Sequence, residues 1–370
     1  MNFNINLNQN RNGNSKGGGI VMGLLLIVLG SVLLWWNEGN NVRNIKAVAQ
    51  LEKEMIEMKS DKVSSEYDGR AVATNGNLIV DDEPVSDDEF EVVIKTPKLK
   101  RVVEMYQWDE DEDTDEDGYT TYSYSKKWSE TILTKKNHSD KSHENPSSMP
   151  YKSKEFYAND VKVGAYNLSD DQIKGLATDA YYDVPGEILE DMVGFSKQDV
   201  YITNSYNIEN PIIGDIRISW KLNNWKEASV LAVVTGNTFR DFISDSEVHI
   251  NRVEEGILTG NQLMNHQKDE NNMMKWILRG VGALIIFFGY LALTGPLSRL
   301  ASKVPILGSV VGWALTLISF LLGLINTLLI IIIAWFRFRP VLSIVLLVII
   351  VIAVVLIIRI SKKNKQEQAQ

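Results

Sequence analysis

Residues Gly17–Trp36 read GGGIVMGLLLIVLGSVLLWW, twenty positions without one ionisable side chain. About 20 consecutive apolar residues let a helix cross the hydrocarbon layer of a bilayer. Three later stretches repeat the pattern, Ile277–Thr294, Ser309–Trp335 and Pro340–Ile358, and the only charge among them is Arg279 at the edge of the first. The sequence therefore predicts four transmembrane helices, at 17–36, 277–294, 309–335 and 340–358.

Charge is divided as unevenly as hydropathy. Residues 37–275 carry 27 Lys and Arg against 46 Asp and Glu, whereas the rest of the chain carries 11 against 1. Basic residues near spans are retained on the cytoplasmic side. Arg11 and Lys16 precede the first span, Arg299 and Lys303 lie in the 295–308 loop, and Arg359, Lys362, Lys363 and Lys365 lie in the 359–370 tail. All fall on one side of a four-span protein, with only Arg337 and Arg339 opposite. The acidic region 37–275 is then extracytoplasmic, and the Asn-rich leader 1–16 is a disordered cytoplasmic segment. No small-x-small cleavage pattern follows the first span, and Trp35-Trp36 suits a membrane interface, so it reads as an uncleaved anchor. The chain has no Cys, which excludes disulfides, thiolate metal sites and Cys nucleophiles.

Within the acidic region, Val42, Ile45, Val48, Leu51, Met55 and Met58 recur at spacings of three and four, which predicts an amphipathic helix over 40–58. It either packs on the extracytoplasmic domain or continues the first span outward. Beyond Tyr67 the pattern turns to alternation. Asn75-Gly76 reads as a hairpin turn. GDIRISWKL (Gly214–Leu222) places Ile216, Ile218 and Trp220 on one face, and EASVLAVVTGNTF (Glu227–Phe239) reads as a partly buried strand. Ser169 and the acids after it open a short helix, and the chain becomes helical again from Asp245 to Lys275. The expected fold is an α+β membrane protein, with four transmembrane helices and a large, mainly β extracytoplasmic domain flanked by amphipathic helices.

Between Asp109 and Asp117 eight of nine residues are Asp or Glu. Asp113, Asp115, Asp117 and Gly118 match the start of a calcium loop, but the position that needs a bidentate Glu is Tyr124. Tyr106 and Trp108 alternate on one side of the run, and Tyr122, Tyr124, Lys126 and Trp128 on the other. Two strands joined by a solvated tip fit this pattern best; weak attraction of divalent ions or a cationic surface is second and a defined calcium site third. If the strands pair, Tyr106, Trp108, Tyr124 and Trp128 share a face, which predicts burial against a second layer.

His138, Asp140, His143 and Glu144 crowd together in a Lys-, Ser- and Pro-rich segment that reads as a loop. His249 and His266 are isolated. No nucleophile elbow, zinc-protease motif or phosphate loop occurs in a suitable context. Inside the spans Asn326 is the most polar residue and is expected to hydrogen-bond between helices. Gly19 with Gly23, and Gly308 with Gly312, have the spacing that lets helices approach closely.

VEMYQW (Val103–Trp108), YSYSKKW (Tyr122–Trp128) and HENPSSM (His143–Met149) stand in the order and spacing of the LUMA family, transmembrane protein 43. WNEG (Trp36–Gly39), GDIRIS (Gly214–Ser219), WILRGVG (Trp276–Gly282), Ile306-Leu307-Gly308 and Trp335 with Arg339-Pro340 extend the resemblance from about Gly19 to Ile360. It implies one N-terminal span, a large lumenal or periplasmic domain and a C-terminal group of spans. It also implies a role in organising membrane protein complexes, and it supplies no catalytic residues. Its motifs make Glu104, Met105, Tyr106, Gln107, Trp108, Tyr124, Trp128, His143, Asn145, Pro146 and Met149 interaction candidates. Gly19, Gly23, Trp35, Trp36, Gly308, Gly312, Trp335 and Arg339 become interface and packing candidates. The lack of Cys and the simple leader point to a bacterial source.

The functional expectation is a non-enzymatic multi-pass scaffold that needs no cofactor or metal and does not bind nucleic acid. Its partners are the lipid bilayer, other membrane proteins and a second copy of itself. The alternative is an envelope sensor or binding module for divalent cations or cationic ligands. The expected location is the bacterial cytoplasmic membrane, or the endoplasmic reticulum or inner nuclear membrane for a eukaryotic source.

Overall fold

The computed structural model describes residues 5–6, 18–81, 83–114, 119–133, 141–185, 194–301, 307–341, 343–345, 348 and 352. The α-helices are α1 (Gly18–Glu54), α2 (Asp170–Gly175), α3 (Gly260–Ala301) and α4 (Leu307–Phe338). The chain divides into two compact units, one made of residues 1–10, 51–243 and 249–265, the other of 11–50, 244–248 and 266–370.

The first unit is mainly β. In chain order its strands are β1 (Ile5–Asn6), β2 (Ile56–Lys59), β3 (Ala71–Val80), β4 (Val85–Asp87), β5 (Val92–Ile94), β6 (Lys98–Thr114) and β7 (Thr120–Ser129). Next come β8 (Lys154–Tyr157), β9 (Val161–Val163), β10 (Tyr166–Asn167), β11 (Ala180–Tyr182), β12 (Ser196–Gln198), β13 (Tyr201–Thr203) and β14 (Ile216–Leu222). The last are β15 (Glu227–Thr235), β16 (Thr238–Arg240), β17 (Phe242–Ile243), β18 (His249–Ile250) and β19 (Arg252–Glu255).

Two sheets share one core. The first runs β1-β7-β6-β14-β13-β12, with β11 on β14 and β8 on β6. In the second, β3, β15, β16, β10 and β9 pair in a closed ring, to which β2 and β19 add. Ring closure removes free edges, the usual hazard of a β-sheet. Val103, Met105, Ile216, Ile218 and Trp220 from the first sheet meet Val72, Val163, Val230, Ala232 and Val234 from the ring in one apolar cluster. The alternation expected in β14 holds, since Ile216, Ile218 and Trp220 are all buried. β15 is more deeply buried than expected: every residue from Ala228 to Val234 is covered. β3 runs along one of its edges, and β19 and β16 share the other.

The helix expected from Ser169 is present and short. Ser169 and Gln172 form a reciprocal capping box, which satisfies two of the backbone N–H groups a helix start leaves open.

One buried charge cluster was not foreseen. Arg101 occupies a core-facing position of β6 and is 2% exposed. It holds Asp87 at 2.8 Å and Glu89 at 2.5 Å, and Trp220 Nε1 donates to Asp87 at 2.9 Å. The Phe90 ring covers the guanidinium, 4.6 Å from its carbon. Burial pushes the Asp87 carboxyl above the usual carboxylate range, and the Trp220 and Arg101 contacts pull against it.

Four elements differ from expectation. The helix expected from Asp245 begins only at Gly260, because the chain before it pairs as β18 and β19. Asn75-Gly76 is not a turn: both lie inside β3, where Asn75 pairs with Ser229 and Gly76 with Ala228. Glycine serves there for close approach, because a Cβ on Gly76 would meet Ser60 Oγ at 2.5 Å and the Gly164 backbone at 3.2 Å. The 40–58 helix continues the first span, one of its two expected readings, but stops at Glu54; Met58 belongs to β2 instead. The acidic run is largely strand, paired from Asp109↔Ser125 to Thr114↔Thr120. Asp115, Asp117 and Gly118, which the calcium reading needs, lie outside the described residues. So do His138 and Asp140.

The leader supplies Ile5 and Asn6, which pair with Tyr122 and Thr121 of β7. Two rungs contribute little without further packing.

The second unit contains the three helices among the described residues that are long and apolar enough to cross a membrane. α1 and α3 run close together through glycines seven residues apart. A Cβ on Gly23 would lie 2.7 Å from the Gly289 carbonyl oxygen, and one on Gly30 would lie 2.9 Å from that of Gly282. Gly23 of the expected Gly19/Gly23 pair thus packs, whereas Gly19 is looser, 3.7 Å from the Ala292 carbonyl. α3 and α4 meet where Gly323 faces Phe287 and where Asn326 donates to Tyr290 at 3.2 Å, the interhelical role expected of that Asn. α3 passes through Pro296 to Ala301, which shortens the loop expected over 295–308. Proline is tolerated in membrane helices because neighbours satisfy the carbonyl it frees. The fourth expected span, 340–358, lies mostly outside the described residues; 340–341, 343–345, 348 and 352 are helical.

Candidate functional site

β6 alternates strictly. Leu99, Arg101, Val103, Met105 and Gln107 point to the core, so Lys100, Val102, Glu104, Tyr106, Trp108 and Glu110 take the opposite face. Register then decides their neighbours. Tyr106 stands opposite Trp128, Trp108 opposite Lys126 and Glu110 opposite Tyr124 on β7, and Glu104 stands opposite Arg217 on β14.

These pairs build a continuous aromatic and cationic face. Glu104 accepts from Arg217 Nε at 2.7 Å. The Arg217 guanidinium lies 4.5 Å from the Trp128 ring and 4.7 Å from Tyr201, so it is held between two rings and a carboxylate. Tyr106 and Trp128 are 5.3 Å apart. Lys126 Nζ covers the Trp108 ring at 4.5 Å, and Lys221 covers Tyr181 at 4.8 Å. Tyr181 is exposed, and Tyr106, Trp108, Trp128 and Tyr201 are half-buried. The expected burial of the four hairpin aromatics is met only by Tyr124, because the face they share points away from the core.

The 143–149 segment closes one end of the face. His143 stacks on Tyr124 at 4.0 Å and meets the edge of Trp108 at 4.4 Å. Tyr124 donates its hydroxyl to Glu110 at 2.7 Å, so one carboxylate of the acidic run is buried beneath the rings instead of solvated. Asn145 bonds both backbone groups of Trp108 and the Leu133 carbonyl. Gln107, fully buried, donates to the Thr131 carbonyl and accepts from the Leu133 N–H. Pro146 sits against Gly214, whose φ of +95° is a conformation that favours glycine. Met149 packs on the core. The motif stretches 103–108, 122–128, 143–149 and 214–219 therefore converge on one end of one sheet.

Asp109 is paired with Lys127 at 2.6 Å, which leaves less free acidic surface than the sequence suggested. Among the described residues no three His, Asp or Glu side chains gather as a metal-binding group.

The remaining candidates lie on the three long helices. Glu38, 1% exposed, accepts from Arg279 at 2.6 Å and from the Trp335 indole at 3.0 Å, and Asn37 donates to the Lys275 carbonyl. WNEG and WILRGVG thus meet with Trp335 around one buried carboxylate. The sequence reading noted only Arg279, at the edge of a span, and missed Glu38; an acid two residues past the aromatic pair was its signal. Trp35 packs on Phe338 at 5.3 Å, while Trp36 is half exposed. Gly308 and Gly312 lie in the first turns of α4.

The sequence profile described as transmembrane protein 43 (TMEM43) matches residues 105–340. The chain belongs to the transmembrane protein 43 family. Among curated proteins it is similar to human transmembrane protein 43, with 27% identity over 352 residues covering 90% of this chain and 87% of that protein. It is equally similar to the Drosophila melanogaster transmembrane protein 43 homolog, 27% over 347 residues covering 88% and 90%. No solved structure matches. The family match begins at Met105 within β6 and takes in β7, β14 and the segment that holds Asn145, along with α3 and α4.

Proposed function

We propose that this family member is a non-enzymatic multi-pass scaffold, whose sheet face binds other membrane proteins or a second copy of itself. The observation that carries this reading is the convergence of four motif stretches on a half-exposed face of rings and ring-bound cations. Such a face offers large contact area on side chains already held in place, the character of interface hot spots, where Trp, Tyr and Arg dominate. Its charges are matched within the protein: Glu104 serves Arg217, and Lys126 rests on Trp108. That arrangement suits recognition by contact better than capture of free cations.

The proposed topology has four spans, with both termini in the cytoplasm and residues 37–275 outside it. Support comes from the distribution of Lys and Arg. Single cysteines at Ser147 and Ser361 should differ toward an impermeant thiol reagent in intact cells, the first reacting and the second protected. The reverse pattern would refute the topology, and reaction of a cysteine at Asn2 would place the leader beside the sheet, as the β1 rung has it. The bacterial cytoplasmic membrane is our reading of the location, from the lack of Cys and the Asn-rich leader; for a eukaryotic source it becomes the endoplasmic reticulum or inner nuclear membrane.

The test of the scaffold is co-purification of the full chain in mild detergent, with and without Arg217→Ala and Trp128→Ala. Proteins or second copies that leave with these substitutions, while the chain stays folded, support the reading. An unchanged set of companions rejects this face as the docking surface.

A further inference from the structure

The level of α1, α3 and α4 that contains Glu38 carries more positive charge than its one carboxylate can match. Arg279 and the Trp335 indole already occupy both oxygens of Glu38. Lys275 interacts electrostatically with Arg279 and Arg339 as well as with Glu38. Its ammonium donates to the Asn272 side chain at 2.7 Å, a neutral partner. Arg339 stands one turn beyond Trp335, just past the end of α4, and its Nη2 is buried without an acceptor. Asn41, one turn beyond Glu38 on the same face of α1 and 5% exposed, likewise has its Nδ2 buried and unmatched. Buried donors of this kind are costly unless something accepts from them.

Arg339 also lines an almost wholly apolar groove of about 460 Å³ with Pro340, Val341 and Val345. A guanidinium at one end of an apolar groove matches an amphiphile with an anionic head. Trp36 and Trp276, both substantially exposed nearby in sequence, mark the depth at which lipid headgroups lie.

We propose that this helix unit binds an anionic phospholipid, with its phosphate held by Arg339 and Lys275 and an acyl chain along the Pro340–Val345 groove. Guanidinium and ammonium groups are the usual phosphate partners in proteins, and basic pockets between helices recognise anionic headgroups. The Glu38–Arg279 pair positions the site: it neutralises one cation and leaves the other two available to the ligand.

Native mass spectrometry of the full chain in a neutral detergent tests this, with phosphatidylglycerol and phosphatidylcholine supplied in equal amounts. Phosphatidylglycerol adducts should exceed phosphatidylcholine adducts by about tenfold, and Arg339→Gln and Lys275→Gln should each remove most of that preference. Arg339→Lys should retain it in part, and Arg337→Gln, on the exposed end of α4, should leave it intact. A thermal melt of each variant separates loss of ligand from loss of fold. Equal adducts of the two lipids, or full preference in both Gln variants, would overturn the proposal. Displacement of the lipid by inorganic phosphate would also overturn it, since the groove would then add nothing and the site would hold a small anion only.

Discussion

Asn145 completes the hydrogen bonding of Trp108 as a neighbouring strand would: its Oδ1 accepts from the Trp108 N–H at 2.7 Å and its Nδ2 donates to the Trp108 carbonyl at 2.8 Å. A third bond, to the Leu133 carbonyl at 3.0 Å, ties the end of the β7 loop to the same side chain. Asn145→Ala leaves these part-buried backbone groups without partners, at about 1–3 kcal/mol for a buried group left unsatisfied. The expected result is a lower melting temperature and a looser His143, read from thermal melts and from protease cleavage within 129–145. Asn145→Asp keeps only the accepting half and should recover only part of the loss.

The Asp87–Arg101 pair predicts a larger effect. Removing one partner of a buried ion pair strands the other charge and costs about 3–5 kcal/mol, whereas an apolar replacement of both can be nearly neutral. Asp87→Asn should therefore sharply reduce folded protein, and Asp87→Leu combined with Arg101→Met should recover much of it. Thermal melts of both variants check this. A larger loss in the double variant than in Asp87→Asn would assign the stability to the Trp220 hydrogen bond instead, because the amide oxygen of the single variant can still accept it.

The sequence signalled elements better than it signalled their partners. The first helix, the Ile216–Ile218–Trp220 face and the Ser169 cap were legible because each depends on a local period or a local hydrogen bond. The Asn75-Gly76 dipeptide misled for a physical reason: glycine relieves close backbone approach as well as permitting turns, and the Ser60 and Gly164 neighbours that require it are distant in sequence or follow later. The hairpin aromatics were placed correctly relative to one another by register, yet which of the two faces met the core depended on β14 and the closed ring. Arg101 in an apolar series and Glu38 beside Trp36 were visible as anomalies. Their partners, at Asp87 and Arg279, were not.

Glycines at a seven-residue interval set the approach of α1 and α3. A Cβ at Gly30 would lie 2.6 Å from Ile286 Cγ1 and 2.9 Å from the Gly282 carbonyl oxygen, so the helices would have to part. Gly280, two residues from Gly282, has nothing within 4 Å. Gly30→Leu should lower the yield and melting temperature of detergent-purified protein, while Gly280→Ala should be neutral or stabilising by up to about 1 kcal/mol, from helix propensity. Comparable losses at both positions would refute the close-packed seam.

Asp241 accepts from His249 at 2.9 Å and from Asn251 at 3.0 Å, and the His249 bond chiefly holds its carboxyl below the usual range. A folded-state value below the unfolded one contributes stability above the unfolded value of 3.8, and that contribution is lost as pH falls through the folded value. Wild type should melt above Asp241→Asn near pH 6, and the difference should shrink below about pH 4. Because both partners are partly exposed, high salt should reduce it too. A gap that widens on acidification would contradict the assignment.

The strongest contrast concerns three tryptophans of the first unit. Trp220 is fully buried and donates to Asp87, so Trp220→Ala both opens a cavity and strands a buried acceptor; about 3–5 kcal/mol is expected for the cavity alone. Trp108 and Trp128 lie on the opposite face of the same sheet, half-exposed, where their main contacts are Lys126, Arg217, Tyr106 and His143. Cation–π and aromatic contacts at such positions contribute about 0.5–1.5 kcal/mol each. Trp128→Ala and Trp108→Ala should therefore leave a folded chain with a modestly lower melting temperature, whereas Trp220→Ala should deplete the protein. If the face is a docking surface, the two mild variants will lose companions out of proportion to their small loss of stability. Depletion as severe as that of Trp220→Ala would mean that the rings hold the sheet together, and would remove the main support for the scaffold reading.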